Sequence, residues 1–344
     1  MKEINILKKE LESIKNNKQT EIILKEELNN KDKVILKYKD KKLEVEITGT
    51  AKYSSIEECF KIIPIELFGD TTKEKLLSKY KNNISVYRIK YDSEEIEEID
   101  NQELLDLIKV DTLKKNNIGH SSINVYEVEC KNNKQAILKI QSLFSRNDLY
   151  EEYLRIEWLQ NKLNVPKIYY YKELNNKKYL LMEKKTGIPA YKTDSFYDIG
   201  KTLKQIHSLP INNCPFKQNS IDNLLENALK NIDTIYPQVK ELYPNMSKND
   251  VIEFLNNKKP TDQVLVHGDY SLPNILLDED NNISLIDLGD VSISSIYFDL
   301  FYLRKSMIRN KKMEYFDELL AGYGIKELNE DYMKWIEIID KALV

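Results

Sequence analysis

One stretch limits this chain more than any other: "LVHGDYSLPNILLDEDNNISLIDLGD", residues 265–290. Short apolar runs that read as buried strands ("VLV", "NILL", "ISLI") alternate with Asp, Asn and Gly where the chain must turn. Gly268 is free to take an unusual φ. Asp278, Asp280, Asn281 and Asn282 read as turn residues of a hairpin. Asp269, Asn274 and Asp287 then fall at strand ends around one point, in the order D-x4-N-x12-D. Carboxylates that close repel unless something neutralises them. Mg²⁺ does so, because it favours oxygen ligands and keeps waters and substrate phosphates as its remaining ligands. The pattern predicts a phosphoryl-transfer site, with one Asp near an acceptor hydroxyl and an Asn and an Asp on magnesium. Any one of these residues alone would more often be a turn residue or a helix cap; the ordered set is what points to chemistry.

Composition excludes several other classes. A net charge of −4 over 344 residues gives no global attraction to nucleic acid or an anionic membrane. Three cysteines (Cys59, Cys130, Cys214) form neither a CxxC pair nor an even disulfide framework, which suits a reducing interior. No apolar run reaches the roughly 18–20 residues a membrane span needs. The N-terminus "MKEINILKKELESIKNNK" is charged throughout and has no signal-peptide core. The expectation is a cytoplasmic protein with no membrane contact. Three separated histidines argue against a His-based zinc site.

The chain divides by pattern. Residues 1–91 begin with an amphipathic helix, "INILKKELESIK", continue with short β-type runs, and carry a local excess of about five positive charges over residues 1–90. Residues 92–108 hold eight acids and no base, an acidic linker. Residues 109–186 alternate hairpins ("SSINVYEVEC"/"KQAILKIQ" and "KIYYYKEL"/"KKYLLMEK") with one long helix, "DLYEEYLRIEWLQNKL". Residues 187–344 are mostly helical, interrupted by the 265–290 stretch. A small β-rich lobe followed by a helical lobe predicts a two-lobed enzyme.

The opening stretch resembles the aminoglycoside phosphotransferases, whose loop reads HGDxxxxN followed by IDxG. Here the segments are "HGDYSLPN" (His267 to Asn274) and "IDLG" (Ile286 to Gly289). "EEYLRIEWLQNKLNVPKIYYY", "IHSLPINNCPFKQNSIDNLL" and "YFDLFYL" are similar to further family segments, the second to the 3′-phosphotransferase branch, over roughly residues 112–344. The resemblance implies an α+β, two-lobed protein-kinase-like fold. It implies Asp269 as the catalytic base or the group orienting the acceptor hydroxyl, and Asn274 and Asp287 as magnesium ligands. It implies Lys139 on the α/β-phosphates, paired with Glu152, for which Glu151 and Glu157 are close alternatives. A strand Lys amid apolar neighbours needs an anionic partner in any case. Ser121 and Ser122 would cap the phosphates, and Met182, Glu183 and Lys185 would fall in the hinge that holds the base through its backbone. His267 would organise the loop and Asp299 would brace it. The donor would be ATP or GTP with Mg²⁺.

The acceptor side departs from the family. A polycationic acceptor calls for a ring of carboxylates. Here "RKSMIRNKKMEYFDE" has five bases before its first acid, and Asp290 stands where the family often has Arg. Asp290, Glu337 and Asp340 are the acids left as acceptor-binding candidates. The resemblance implies a kinase that phosphorylates an antibiotic-like acceptor, an aminoglycoside at its 3′-hydroxyl, and so confers resistance. The alternatives are another hydroxylated acceptor (nucleoside, sugar or macrolide) and a nucleotide- or RNA-binding regulator with a kinase-like domain.

Residues 1–91 resemble an ASCH domain, a small β-barrel, through Lys18 and Glu21 and through "KYSSIEECF…IPIELFG". That resemblance implies weak RNA or nucleotide binding. The family's Gly and Arg are Asn16 and Ile23 here, and the bland alternative is a solvated basic surface on a structural domain.

Overall fold

A computed structural model describes residues 2–342 apart from 16–18, 20, 64, 70, 92–98, 117–122, 143–147 and 176. Two compact units emerge: Met1–Tyr150 with Ile168–Lys184, and Glu151–Lys167 with Lys185–Val344.

The first unit holds two five-stranded sheets. The first is built from β1 (Lys2–Asn5), β2 (Glu21–Leu24), β3 (Lys33–Tyr38), β4 (Lys41–Ser55) and β5 (Asn82–Lys90), with helices α1 (Lys8–Lys15), α2 (Ile56–Phe60) and α3 (Lys73–Lys79). The sequence pattern carried the first helix back to Ile4. Instead, Lys2–Asn5 pair in parallel with β3, and the alternation that buries Ile4 between exposed neighbours explains it. The strand order is β1-β3-β4-β5-β2.

The expected barrel is not shown: β1 and β2 are the edges, and they do not pair with each other among the described residues. Side-chain alternation gives the reason. Ile22, Leu24, Tyr87 and Ile89 join α1 residues Leu11 and Ile14 in one core, whereas Ile23, Ile84 and Val86 join Ile56, Cys59 and Leu76 in another. A closed barrel has one interior; this sheet buries both faces against helices. Lys18, on which part of the ASCH resemblance rested, lies outside the described residues.

The second sheet contains β6 (Ile108–Asn116), β7 (Asn124–Cys130), β8 (Gln135–Ser142), β9 (Ile168–Leu174) and β10 (Lys177–Glu183), in the order β6-β7-β8-β10-β9. Part of the acidic stretch belongs to its core. Asn101 caps α4 (Gln102–Leu107), and Leu104 and Ile108 are buried against Tyr126, Leu138 and Leu181.

Helix α5 (Leu149–Leu159) carries the chain into the second unit. There follow β11 (Ile188–Pro189), α6 (Phe196–His207), α7 (Ile221–Lys230), α8 (Ile232–Leu242), α9 (Lys248–Asn257), β12 (Val264–Val266), β13 (Ile275–Leu277), β14 (Ile283–Leu285), β15 (Ser292–Ser294), α10 (Ile296–Arg309), α11 (Phe316–Tyr323) and α12 (Glu330–Asp340). Helix α8 buries Ile235 and Val239 at i, i+4 despite Pro237.

Two glycines let α6 and α11 touch at backbone distance. A Cβ on Gly200 would meet the Leu319 carbonyl oxygen at 2.1 Å, and one on Gly322 the Tyr197 carbonyl oxygen at 2.0 Å. Both tryptophans lie in this unit. Trp335 is fully buried and donates from Nε1 to the Leu255 carbonyl (2.8 Å). Trp158 packs edge-on against Phe216, with the Lys162 ammonium 3.8 Å from its ring centroid. No helix among the described residues is long and apolar enough to cross a membrane.

Candidate active site

Two short antiparallel ribbons place the 265–290 stretch. β13 pairs with β14, and β12 pairs with β15, putting Val266 opposite Ser292. Two residues beyond Val266, the chain turns at Gly268, whose φ is +89° and whose Cβ would sit 2.2 Å from the Asp290 carbonyl oxygen. Only glycine fits that close approach. Asp287 adopts a left-handed conformation (φ +59°), which Asp tolerates better than most residues.

Asp299, in the first turn of α10, is wholly buried. Its carboxylate accepts the backbone N–H groups of His267 (2.7 Å) and Gly268 (2.9 Å), and His207 Nε2 lies at 3.1 Å. His267 is also buried. Its Nδ1 accepts from Asp269 N (3.4 Å), so Nε2 carries the proton and donates to the Ile286 carbonyl (3.2 Å). His267 thus ties the Asp269 loop to the segment leading into Asp287.

The amide of Asn274 donates to the Asp269 backbone oxygen (3.1 Å) and to its Oδ2 (2.9 Å). The Asn274 side-chain oxygen is then the atom with lone pairs to offer a cation. Burial pushes the Asp269 carboxyl above the usual carboxylate range; the nearby His267 opposes this and the Asp287 charge adds to it. Asp290 is raised by burial first, then by Asp287 and Asp269. Crowded acids of this kind gain from a bound cation. Among the described residues no three His, Cys, Asp or Glu side chains group as a metal cage. Asn274 and Asp287 fit the sparser arrangement, in which phosphates and water complete the shell of Mg²⁺.

A cavity of about 420 Å³ opens beside Asp269, with Asp290, Ser271, Tyr302, Lys305 and Arg309 among its lining residues. Tyr302, Lys305 and Arg309 follow Phe298 along one face of α10 at intervals of four, three and four residues. That helical spacing was the available sequence signal, and the charge count alone did not expose it. Asn219 and Arg155 were also missed. Asn219 donates to the Asp290 carbonyl (3.2 Å), and Arg155, buried on α5, donates from Nε to the Val291 carbonyl (2.9 Å).

The remaining expected residues are carried by other elements. Lys139 is half-buried on β8, the central strand of the second sheet, rather than on a sheet edge. Glu152 is buried on α5; Glu151 instead binds Arg155 (3.1 Å) and Glu157 accepts from Tyr153 (2.9 Å). Met182 and Glu183 end β10, with Lys185 two residues beyond. Ser121 and Ser122 lie outside the described residues. Two expected acceptor-binding acids have internal partners. Glu337 accepts from Tyr243, and Asp340, buried, accepts from Tyr302 (3.0 Å) and pairs with Lys305 (2.8 Å).

Residues 114–336 match the model of the phosphotransferase enzyme family (APH), and the chain belongs to that family. It is a phosphotransferase with an alcohol group as acceptor. It is similar to an aminoglycoside 3′-phosphotransferase of Niallia circulans, 31% identical over 257 residues, which cover 70% of this chain and 96% of that protein. A second relative, an aminoglycoside 3′-phosphotransferase of Escherichia coli, is 27% identical over 210 residues (55% and 75%). The fold is similar to that of the aminoglycoside phosphotransferase APH(3″)-Id from Streptomyces rimosus, with a TM-score of 0.52, 21% identity, and coverage of 71% of this chain and 99% of that one. That enzyme is also known in complex with ADP and streptomycin. The family match begins after the first sheet, and the expected weak RNA or nucleotide binding by residues 1–91 is unsupported.

Proposed function

We propose that the chain transfers the γ-phosphoryl group of a magnesium-bound ATP or GTP to a hydroxyl of a small antibiotic-like acceptor. An aminoglycoside, at its 3′-hydroxyl, is the first candidate, and phosphorylation would confer resistance to it. The observation that carries the reading is the position of Asp269. It lies on the wall of the 420 Å³ cavity, fixed by Asn274, one residue beyond the backbone that Asp299 grips.

In this reading Asp269 accepts, or orients, the proton of the acceptor hydroxyl. Asn274 and Asp287 would hold Mg²⁺, which would supply positive charge to offset that of the phosphates. Lys139 binds the α/β-phosphates with Glu152 as its partner, Ser121 and Ser122 cap them, and the backbone of Met182, Glu183 and Lys185 holds the base. A cytoplasmic location suits three cysteines that are buried and unpaired.

A second reading has a specific observation in its favour. Glu337 and Asp340 have internal partners, so a less cationic acceptor, such as a nucleoside, sugar or macrolide, fits the thin acidic ring. The test is a transfer assay with Mg-ATP and Mg-GTP across aminoglycosides, nucleosides, sugars and macrolides, run beside Asp269→Asn. Transfer to at least one acceptor, lost in the variant, is expected. Undiminished transfer by Asp269→Asn would remove Asp269 from its role.

A further inference from the structure

The acceptor cavity has an unusual charge balance for a family whose relatives are named for polyamine acceptors. Among the described residues its wall holds two carboxylates, Asp269 and Asp290, and two cationic side chains, Lys305 and Arg309. Asp269 is taken up by the reacting hydroxyl, so Asp290 alone remains to meet an ammonium. The acids of the last helix do not add to it. Asp340 is buried among Tyr302, Lys305 and Lys341, and Glu337 is bound by Tyr243.

The two bases differ. Lys305 is neutralised by Asp340 and lies against the Phe301 and Tyr302 rings. Arg309, exposed in the last turn of α10, makes no hydrogen bond or ion pair among the described residues. The end of a helix favours a cation, which explains why Arg309 is tolerated there but not why it lines the cavity. A guanidinium is a rigid fork of donors matched to carboxylate and phosphate.

We infer that this cavity takes a hydroxylated monoamine that also carries a carboxylate or phosphate, its ammonium met by Asp290 and its anion by Arg309, and that it disfavours polycations. This rests on the cavity being the acceptor site of a hydroxyl kinase, and it favours the second reading above, a less cationic acceptor, over a polycationic aminoglycoside. Arg309 is then a specificity-determining residue. A second or third ammonium on the acceptor would face Arg309 with no carboxylate beside it, and like charges at close range select against a partner.

The experiment separates binding from transfer. Calorimetric titrations at low salt use four probes: muramic acid and glucosamine 6-phosphate as anion-bearing amino sugars, glucosamine as their counterpart without the anion, and kanamycin as the polycation. The full chain and its Arg309→Ala and Arg309→Glu variants are compared, with far-UV dichroism confirming their fold. Wild type is expected to bind an anion-bearing probe about tenfold or more tighter than glucosamine. Arg309→Ala should erase that advantage, and Arg309→Glu should tighten kanamycin about tenfold. Raising the salt to about 0.5 M should shrink both effects.

Kanamycin binding best to wild type and unchanged in Arg309→Glu overturns the inference, and so does failure of all four probes to bind. Phosphoryl transfer is followed in the same samples. Charge-dependent binding without transfer to any probe would count against the hydroxyl-kinase reading and leave the charge selectivity standing. Transfer to kanamycin that ignores Arg309 would do the reverse.

Discussion

At the scale of single residues, Asp269 carries the heaviest expectations. Asp269→Asn keeps the shape and the contact with Asn274 but removes the proton acceptor. Turnover is expected to fall by about 10²–10⁴-fold in a steady-state assay, with little change in stability. Burial raises the Asp269 pKa, so the ionised form that catalysis needs is lost earlier on acidification than for an exposed Asp. The acid limb of a kcat/KM–pH profile should therefore lie above the ordinary carboxylate range, and it should vanish in Asp269→Asn.

Glu21 makes a stability prediction of the same kind. Burial lifts it to about 7, against an opposing pull from Arg88. The folded state binds this proton more tightly than the unfolded one. Stability is therefore greatest below the unfolded pKa and falls as the pH rises between about 4.5 and about 7, by roughly 3 kcal/mol in all. Glu21→Gln should flatten that dependence in urea titrations at pH 5 and pH 8.

These residues also show what could be read from the sequence. Asp269, Asn274 and Asp287 stood out because their order and spacing are local, and Asp299 only through the family resemblance of "YFDLFYL". Asp340 did not show its burial among Tyr302, Lys305 and Lys341, because all but the last of those partners are more than thirty positions away. A one-dimensional charge count treats a carboxylate with partners and one without them alike.

At the scale of elements, the crossing of α6 and α11 is the most exacting contact. Gly200→Ala would drive a methyl group into a backbone carbonyl that cannot turn aside. Overpacking of this sort is expected to cost about 1–3 kcal/mol or more by chemical denaturation, with α6 and α11 forced apart. The sequence reads as mostly helical over this region, but nothing in it shows that two glycines, 122 positions apart in the chain, would each face the other helix's backbone.

The strands divide the same way. β12, β13 and β14 are short apolar runs between turn residues, so pattern alone located them. β15 reads "SIS", with one apolar residue, and exists because it pairs with β12 across 28 positions. The N-terminal sheet failed at the next level. Its strands were legible, but an apolar residue on a strand does not reveal whether the core it faces is a barrel interior or one of two opposed helix layers.

At the scale of the whole molecule, the proposed site predicts a linkage. The raised Asp269 and Asp290 mark an acidic cluster that is relieved when a cation binds. Mg-nucleotide at about 100 times its dissociation constant should stabilise the second unit by about 2.7 kcal/mol. Nucleotide in EDTA should give clearly less. A differential scan with and without EDTA measures both, and equal shifts would separate nucleotide binding from Asn274 and Asp287.

The second unit also contains both of the chain's indoles, and that has a practical consequence. Under selective tryptophan excitation the first unit is dark. Trp335, in a dry setting with its N–H engaged, should emit at short wavelength, whereas Trp158, beside a lysine ammonium on the helix that holds Glu152, should respond to movement of that helix. Indole emission would then record the fate of the second unit alone, and tyrosine light or dichroism would be needed to see the other. A melting curve recorded in the indole channel therefore says nothing of the N-terminal sheets, and any gap between the two channels measures how independently the units unfold.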